Sequence, residues 1–203
     1  MQTLTSVRTM ADLYLESLGY PKAQPAVISV DDTVSVPVYL EMMKSNGAPQ
    51  LWVILTASCD EDAGIMESSS YDAATIDEDA SGTLYKGVLS DMSNEDLATK
   101  ILFGAAEPPR FLMFISMNQI ALIDRNKWNE KRYLQFELED IFSRLENTTL
   151  QAMAVLLHKD SLCPDDGKVL LDELDEQSQK NASGVSQDLK FALRESIELL
   201  GNE

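Results

Sequence analysis

Two short apolar runs place the strongest constraint on the fold of this chain. They cover residues 51–57 and 111–117, and both fall well short of the ~20 apolar residues that a membrane-spanning helix needs. Short apolar runs bounded by turn residues are typical of strands that are buried on both faces of a sheet. The sequence therefore predicts a protein with two central strands and no membrane partner.

One predicted helix precedes the first apolar run, and another follows it. Apolar residues recur every three or four positions over residues 7–18, and Gly19 followed by Pro21 ends that pattern. Ser93 is a typical helix N-cap, and Glu95 follows in the first turn, where negative charge is favourable. One helix is thus expected before the first central strand and one after it.

The remaining strand signals complete the order of elements. Residues 26–30 and 34–38 are β-prone, and Pro37 marks the second run as a half-exposed or edge strand because it cannot donate a ladder hydrogen bond. A β-hairpin is predicted over residues 110–117 and 119–124. The order helix–strand–strand–strand–helix–strand–strand is that of the PD-(D/E)xK nuclease-like fold. We therefore predict an α/β (α+β) protein with a mixed sheet flanked by helices.

The pattern changes near residue 147. Residues 1–146 carry the α/β signals, whereas residues 147–203 have the spacing of helices, the last with a stripe that includes Leu189, Leu193 and Ile197. That stripe has no closing signal before the chain ends. We expect a nuclease-like domain over 1–146 and, over 147–203, a helical connector that begins a further domain of a longer protein.

The charge of the chain restricts its partners. Sixteen basic and 34 acidic residues give a formal net charge of −18. Such a surface repels DNA, because neutralisation of phosphates by Lys and Arg supplies most non-specific affinity. A DNA-binding role would need a more basic partner or domain. The alternative is a stand-alone acidic protein that acts by protein contact or mimics DNA.

Residues 59–83 concentrate the acidic character. They contain no Lys or Arg, and they hold several Ser and Gly residues, so we predict a long acidic loop. Asp60 and Asp62 have the spacing of calcium ligands, but the glycine and terminal glutamate of a calcium loop do not fall at the required positions.

A nuclease of this fold needs an acid on its second strand and an acid–x–lysine pair on its third, which hold Mg²⁺ and activate water. Residues 51–57 supply neither. Weak catalytic candidates are Glu16, Asp31, Glu41 and Lys44. Glu41 and Lys44 are three residues apart and would point to opposite faces of a strand. The pattern favours a non-catalytic domain; the alternative is an active Mg²⁺-dependent nuclease rearranged around Glu16, Asp31 and Glu41.

A cluster of basic residues interrupts the acidic background near the predicted hairpin. Basic residues beside aromatic ones can contact nucleic acid or a partner, and they can equally pair with the protein's own carboxylates, which we favour. The cluster consists of Arg110, Arg125, Lys127, Trp128, Lys131 and Arg132.

The remaining reactive residue types point to no site. Cys59 and Cys163 are far apart and lack a CxxC partner, which favours reduced thiols and a cytoplasmic location. His158 has no nearby nucleophile in sequence and is interpreted as a cation at the end of an apolar helix. No metal or cofactor is expected within this segment.

Five segments of the C-terminal half carry a family resemblance. They are Pro-Arg-Phe-Leu-Met-Phe at 109–114, Ile-Ala-Leu-Ile-Asp-Arg-Asn-Lys-Trp at 120–128, Arg-Tyr-Leu-Gln-Phe-Glu-Leu at 132–138, Leu-Asp-Glu-Gln-Ser at 174–178 and Gly-Val-Ser-Gln-Asp-Leu-Lys-Phe-Ala-Leu-Arg-Glu-Ser-Ile-Glu-Leu-Leu at 184–200. This part of the chain, roughly residues 108–203, resembles the N-terminal region of large bacterial restriction-modification and phage-defence adenine DNA methyltransferases of type IIG-like organisation. The resemblance involves no active-site signature.

The resemblance implies a modular parent protein. Such proteins have an N-terminal nuclease-like domain, a helical connector, a methyltransferase that uses S-adenosylmethionine and a target-recognition domain, with Mg²⁺ serving any active nuclease. None of the methyltransferase residues falls within these 203 residues. The resemblance implies a degenerate domain that acts as a scaffold or contacts DNA, the remainder of the parent chain or other defence proteins.

Overall fold

The computed structural model describes residues 4–32, 34–56, 64–70, 92–144 and 146–181. Within these residues the chain forms a five-stranded mixed sheet and a separate two-stranded sheet, both flanked by helices. The predicted α/β class with a mixed sheet is confirmed. The closer assignment to the nuclease-like fold stays a prediction.

The elements follow each other in the order given by the residue pattern. The strands are β1 (Ala26–Ser29), β2 (Ser35–Val38), β3 (Leu40–Met43), β4 (Pro49–Leu55), β5 (Phe111–Ile115), β6 (Gln119–Asp124) and β7 (Tyr133–Glu137). The helices are α1 (Leu4–Ser17), α2 (Asn94–Gly104), α3 (Arg125–Trp128), α4 (Leu138–Arg144), α5 (Asn147–Leu157) and α6 (Lys159–Leu162). A further helix, α7, covers residues 170–181.

The large sheet has the strand order β3-β4-β5-β6-β7. Strands β4 and β5 are parallel, and every other neighbouring pair is antiparallel. A parallel pair needs a crossover connection, and α2 lies in the segment between these two strands. The two apolar runs of the sequence are therefore the central strands, as predicted.

Alternate residues of the central strands enter two different cores, because successive side chains of a strand point to opposite faces. Leu51, Val53 and Leu55 of β4 belong to the first core, which lies against α1. Trp52 and Ile54 belong to the second core, which lies against α2 and β2. Burial on both faces explains why the sequence of β4 is continuously apolar.

Local signals set the start of α2 and the end of α1. Ser93 is the N-cap of α2, and its hydroxyl accepts a hydrogen bond of 3.1 Å from the backbone N–H of Asp96. Helix α1 ends at Ser17, and Gly19 then adopts a φ of +80°, which favours glycine. Both boundaries agree with the sequence prediction.

The helical segment after residue 147 is packed onto the sheet. Met153 and Leu157 of α5, Leu162 of α6 and Val169 are buried in the first core together with β4 and β5. The predicted domain boundary between residues 146 and 147 stays a prediction. The packing shows that the beginning of the connector shares a core with the sheet.

Two strand predictions need correction. β3 was not predicted, because the alternating pattern covers residues 34–38 only, whereas the chain leaves the small sheet at Tyr39 and enters the large one at Leu40. β2 does form an edge, since it pairs only with β1 in a two-stranded sheet. However, its residues 36–38 are buried rather than half exposed, because they cover the second core.

Several sequence predictions fall on other parts of the chain. Most of the acidic loop 59–83, with the calcium alternative at Asp60 and Asp62, lies outside the described residues, as does the terminal helix with its stripe from Leu189. In the described ranges, no helix has the length and apolar character needed to cross a membrane.

Candidate functional site

Three residues of the basic cluster, Arg110, Lys127 and Arg132, lie where α7 meets the end of the β5–β6 hairpin. A cleft of about 200 Å³ separates α7 from β6 and β7. We call it the α7 cleft. Its lining consists of Leu122, Asp124, Lys127, Arg132, Tyr133, Leu134, Leu171, Leu174 and Asp175.

The register of the hairpin positions the central cation of this surface. Phe111 pairs with Asp124 across β5 and β6, and the backbone N–H of Arg125 donates to the carbonyl of Arg110 at 2.9 Å. Arg110 and Asp124 are thereby held side by side. Asp124 also caps α3, since its carboxylate accepts from the backbone N–H of Asn126 at 2.9 Å.

Arg110 bridges the sheet and α7. Its Nε and one Nη donate to the carboxylate of Asp124 at 2.7 and 2.9 Å, which is the bidentate geometry that a guanidinium favours. The same Nη donates to Asp172 of α7 at 2.7 Å. Burial lowers the pKa of Arg110, but the hydrogen bonds and charges of Asp124 and Asp172 outweigh it and raise the pKa above its usual range. Arg110 therefore stays a cation.

A second ion pair holds the next turn of α7. Lys127 of α3 contacts Asp175, which lies three residues after Asp172 and so on the same side of the helix. Lys127 is 33% exposed and Asp175 is 45% exposed. This pair is more open to solvent than the pair of Arg110 with Asp124, whose side chains are 13% and 10% exposed.

The other basic residues also meet acceptors within the chain. Lys131 pairs with Glu95 at 2.9 Å, Arg132 pairs with Glu130 at 3.0 Å, and Arg125 donates to the carbonyl of Pro108 at 2.8 Å. The internal pairing favoured from the sequence is thus present at this surface. Nucleic-acid or partner contact by these residues stays a prediction.

Trp128 has a different position from its basic neighbours. It is 1% exposed in the second core, and its indole N–H donates to the hydroxyl of Thr99 at 3.1 Å. Lys131 lies 4.7 Å from the centre of the indole ring, a cation–π arrangement. A buried ring cannot stack on a nucleic-acid base, so the position of Trp128 indicates a role in packing.

The four nuclease candidates do not form one site. Glu16 lies on α1, over the first core. Glu41 accepts a hydrogen bond of 2.8 Å from the indole N–H of Trp52, whose side chain enters the second core. Glu16 and Glu41 are therefore on opposite faces of the sheet.

Asp31 and Lys44 have partners and positions of their own. Asp31 accepts from the backbone N–H of Val34 at 2.8 Å and pairs with Lys100 of α2 at 3.3 Å. Lys44 begins the turn after β3 and lines a cavity of about 640 Å³ with Gln50 and Cys163. Among the described residues, no three His, Cys, Asp or Glu side chains gather closely enough to hold a metal ion.

A buried polar network beside β4 was not predicted from the sequence. The Asn94 side chain is fully buried and donates to Thr56 at 2.8 Å and to the carbonyl of Ile65 at 2.6 Å. It also accepts from the hydroxyl of Ser70 at 2.6 Å. These bonds fasten residues 64–70 to α2 and to the end of β4. A buried amide with all three partners present is typical of a structural lock.

His158 lies at the end of an apolar helix, as the sequence predicts, and its role as a cation there stays a prediction. His158 ends α5 and also caps α6, where its Nδ1 accepts a hydrogen bond of 3.2 Å from the backbone N–H of Asp160. The histidine therefore joins the end of α5 to the start of α6.

Comparison with known proteins found no matching family model, no similar curated protein and no similar solved structure.

Proposed function

We propose that this chain is a non-catalytic N-terminal domain of a DNA restriction-modification or phage-defence adenine methyltransferase, and that it serves as the scaffold for the helical connector. In this proposal S-adenosylmethionine, and Mg²⁺ if a nuclease acts, bind to other parts of the parent protein. The sheet would be a degenerate PD-(D/E)xK domain, because the crossover between two parallel strands through a helix fits that fold. The segments at residues 109–138 and 174–200 supply the family resemblance.

The observation that carries the scaffold role is the continuity of the core. Leu157 is fully buried and Val169 is 6% exposed, both in the first core with the central strands. Arg110 then joins the sheet to α7. A connector that starts as part of the core has its first residues held in place by the sheet, up to Val169.

The buried apolar side chains of β4 support the proposal that this domain is non-catalytic. A nuclease of this class would carry its acid–x–lysine pair here, and the corresponding side chains are Trp52, Val53 and Ile54, each 0–2% exposed. Burial of apolar side chains on both faces leaves these positions no charged group to present to a phosphodiester.

Methyl transfer by the full-length protein tests the proposed parent. The gene is read beyond Glu203, and the whole protein is incubated with DNA and S-adenosylmethionine labelled in its methyl group. We expect the methyl label in adenine. We also expect, downstream of Glu203, the Asn-Pro-Pro-aromatic motif with which amino-methyltransferases bind the target amine. A stop codon after Glu203, or no methyl transfer by the whole protein, would contradict the proposal.

Plasmid cleavage tests the non-catalytic assignment separately. The 203-residue chain is incubated with supercoiled plasmid and Mg²⁺ or Mn²⁺, beside an Asp31→Ala variant. We expect the plasmid to remain intact with both proteins. Nicking by the wild-type chain that the variant lacks would establish the alternative, an active nuclease.

The charge of −18 favours a second candidate, an acidic protein that mimics DNA or binds a basic partner. Such a protein would compete with DNA for a nuclease or another DNA-binding protein, and salt would abolish the competition by screening. Competition by the chain that disappears at high salt would favour this candidate over the methyltransferase domain. Unchanged DNA binding by the partner would eliminate it.

A further inference from the structure

We propose that α7 masks a DNA-backbone binding surface, with the carboxylates of Asp172 and Asp175 occupying the places of two phosphates. The surface consists of Arg110, Lys127 and Arg132. It becomes available when α7 moves away from the hairpin. The choice of DNA as the polyanion rests on the proposed function, whereas the masking itself rests on the contacts of α7.

The geometry of the two ion pairs supports the substitution of carboxylates for phosphates. Asp172 meets a guanidinium and Asp175 meets an ammonium, which are the two groups that neutralise phosphates in DNA complexes. The two acids lie three residues apart on one side of α7. Their partners flank the open end of the β5–β6 hairpin, since Arg110 precedes β5 and Lys127 follows β6. The helix thus presents a short row of negative charges to a short row of positive ones.

The binding of α7 to the sheet is weak enough to be exchanged. No residue of α7 is fully buried, and the carboxylates of Asp172 and Asp175 are 51% and 45% exposed. Solvent thus reaches both carboxylates, although Arg110 itself is 13% exposed, and ion pairs that are open to solvent contribute little stability in water. The cleft between α7 and β6–β7 further shows that apolar side chains such as Leu174 are not closely packed there.

The cations would keep their positions after α7 leaves. Arg110 remains fixed by the two hydrogen bonds that it donates to Asp124, which belongs to β6 and does not move with the helix. Lys127 stays on α3, and Arg132 lies beside it in the lining of the cleft. A preformed set of cations costs little ordering entropy when phosphates bind. This local surface can therefore attract a DNA strand although the whole chain is acidic.

Two double variants of equal charge test the masking. Asp172→Asn with Asp175→Asn removes the carboxylates that face the cations. Glu173→Gln with Glu176→Gln is the matched control, because it removes two carboxylates from the same helix and Glu176 pairs instead with Lys180. The measurement is fluorescence anisotropy of a labelled DNA duplex titrated with the 203-residue chain at low salt.

We expect the Asp172/Asp175 variant to bind DNA about tenfold more tightly than the control, the change given by loss of two exposed ion pairs that compete with phosphates. Adding Lys127→Gln and Arg132→Gln should return its affinity to that of the control. Equal affinity of the two double variants, or a gain that survives loss of Lys127 and Arg132, would overturn the proposal. Circular dichroism establishes that each variant is folded.

The outcome is independent of the test of the parent protein. Methyl transfer by the full-length protein with equal DNA binding by the two double variants would reject the masking and leave the proposed function intact. Unmasking in the anisotropy assay without methyl transfer by the whole protein would reject the proposed function and leave the surface established.

Discussion

The central strands and α7 show two different ways of attaching an element to the same protein. In β4 and β5, every residue from Leu51 to Leu55 and from Phe111 to Ile115 is at most 2% exposed. In α7, no residue is fully buried, and charged contacts made by Asp172 and Asp175 join the helix to the sheet. Burial of apolar area gives a strong and salt-independent attachment, whereas exposed ion pairs give a weak attachment that ions weaken further.

The comparison explains how one chain can combine a firm base with a movable element. Helix α5 is attached by buried apolar side chains, whereas α7 is attached by ion pairs and by Leu171, which is only partly buried against the first core. The change occurs after Val169, the last buried residue of the described segment. Residues before that point should respond to loss of apolar volume, and residues after it to charge and salt.

The largest effect is expected from truncation in the central sheet. Phe114→Ala removes a fully buried ring from the second core and should lower the free energy of unfolding by about 3–5 kcal/mol, from lost burial and the cavity that remains. Urea denaturation provides the measurement. Phe103→Ala is the matched control, because Phe103 is 61% exposed, and it should change stability by less than about 0.5 kcal/mol. Equal losses for the two variants would contradict the assigned core.

Truncation in α5 tests whether the helical segment shares that strong attachment. Leu157→Ala should lower the free energy of unfolding by about 2–5 kcal/mol, because Leu157 is fully buried in the first core. Val155 lies two residues earlier and is 53% exposed, so Val155→Ala should have almost no effect in the same urea titration. A small loss for Leu157→Ala would mean that the connector does not depend on the sheet.

Arg110 combines a buried ion pair with Asp124 and a more exposed one with Asp172. Arg110→Met should lower the free energy of unfolding by about 2–3 kcal/mol, because it leaves the carboxylate of Asp124 nearly buried without its cation. Arg132→Met, at a side chain that is 66% exposed, should be close to neutral. Thermal or urea unfolding of both variants distinguishes the buried bridge from a surface charge. Similar losses of stability for the two variants would contradict the distinction between a buried ion pair at Arg110 and a surface charge at Arg132.

The smallest effect is expected from the outer ion pair. Asp175→Asn should lower the free energy of unfolding by less than about 1 kcal/mol at low salt, since both partners are partly exposed. The difference from the wild type should vanish near 1 M salt, where the screening length is about 3 Å. Urea titrations at low and high salt provide the comparison. A loss that persists in high salt would show that Asp175 acts through packing.

The sequence predicted the elements whose signals are local. Helix α1 follows from apolar residues at helical spacing with Gly19 after them, and α2 follows from its serine cap and early acids. The β5–β6 hairpin follows from two apolar runs around Asn118. Each of these signals lies within a few residues of the structure that it specifies.

The features that escaped prediction depend on distant residues. Arg110 meets Asp172 62 residues later, and Glu41 meets Trp52 on the neighbouring strand. The lock around Asn94 joins three separate segments. No spacing rule reports such contacts, because they are fixed by the way the strands are ordered in the sheet. Proximity in the chain therefore did not reveal the acidic partners of the basic residues, which lie on α7 for Arg110 and Lys127 and on α2 for Lys131.

The joint between the end of α1 and the start of α6 has a consequence for biosynthesis. The hydroxyl of Tyr20 donates to the carbonyl of Leu157 at 2.9 Å across 137 residues, and the backbone N–H of Lys159 donates to the carbonyl of Leu18. At ~5–20 residues per second, a ribosome needs roughly 7–27 s to deliver the second partner after the first. During that interval the apolar side of the first helix lacks its contacts with α5 and α6, so part of the first core is exposed to solvent until residue 159 has been added.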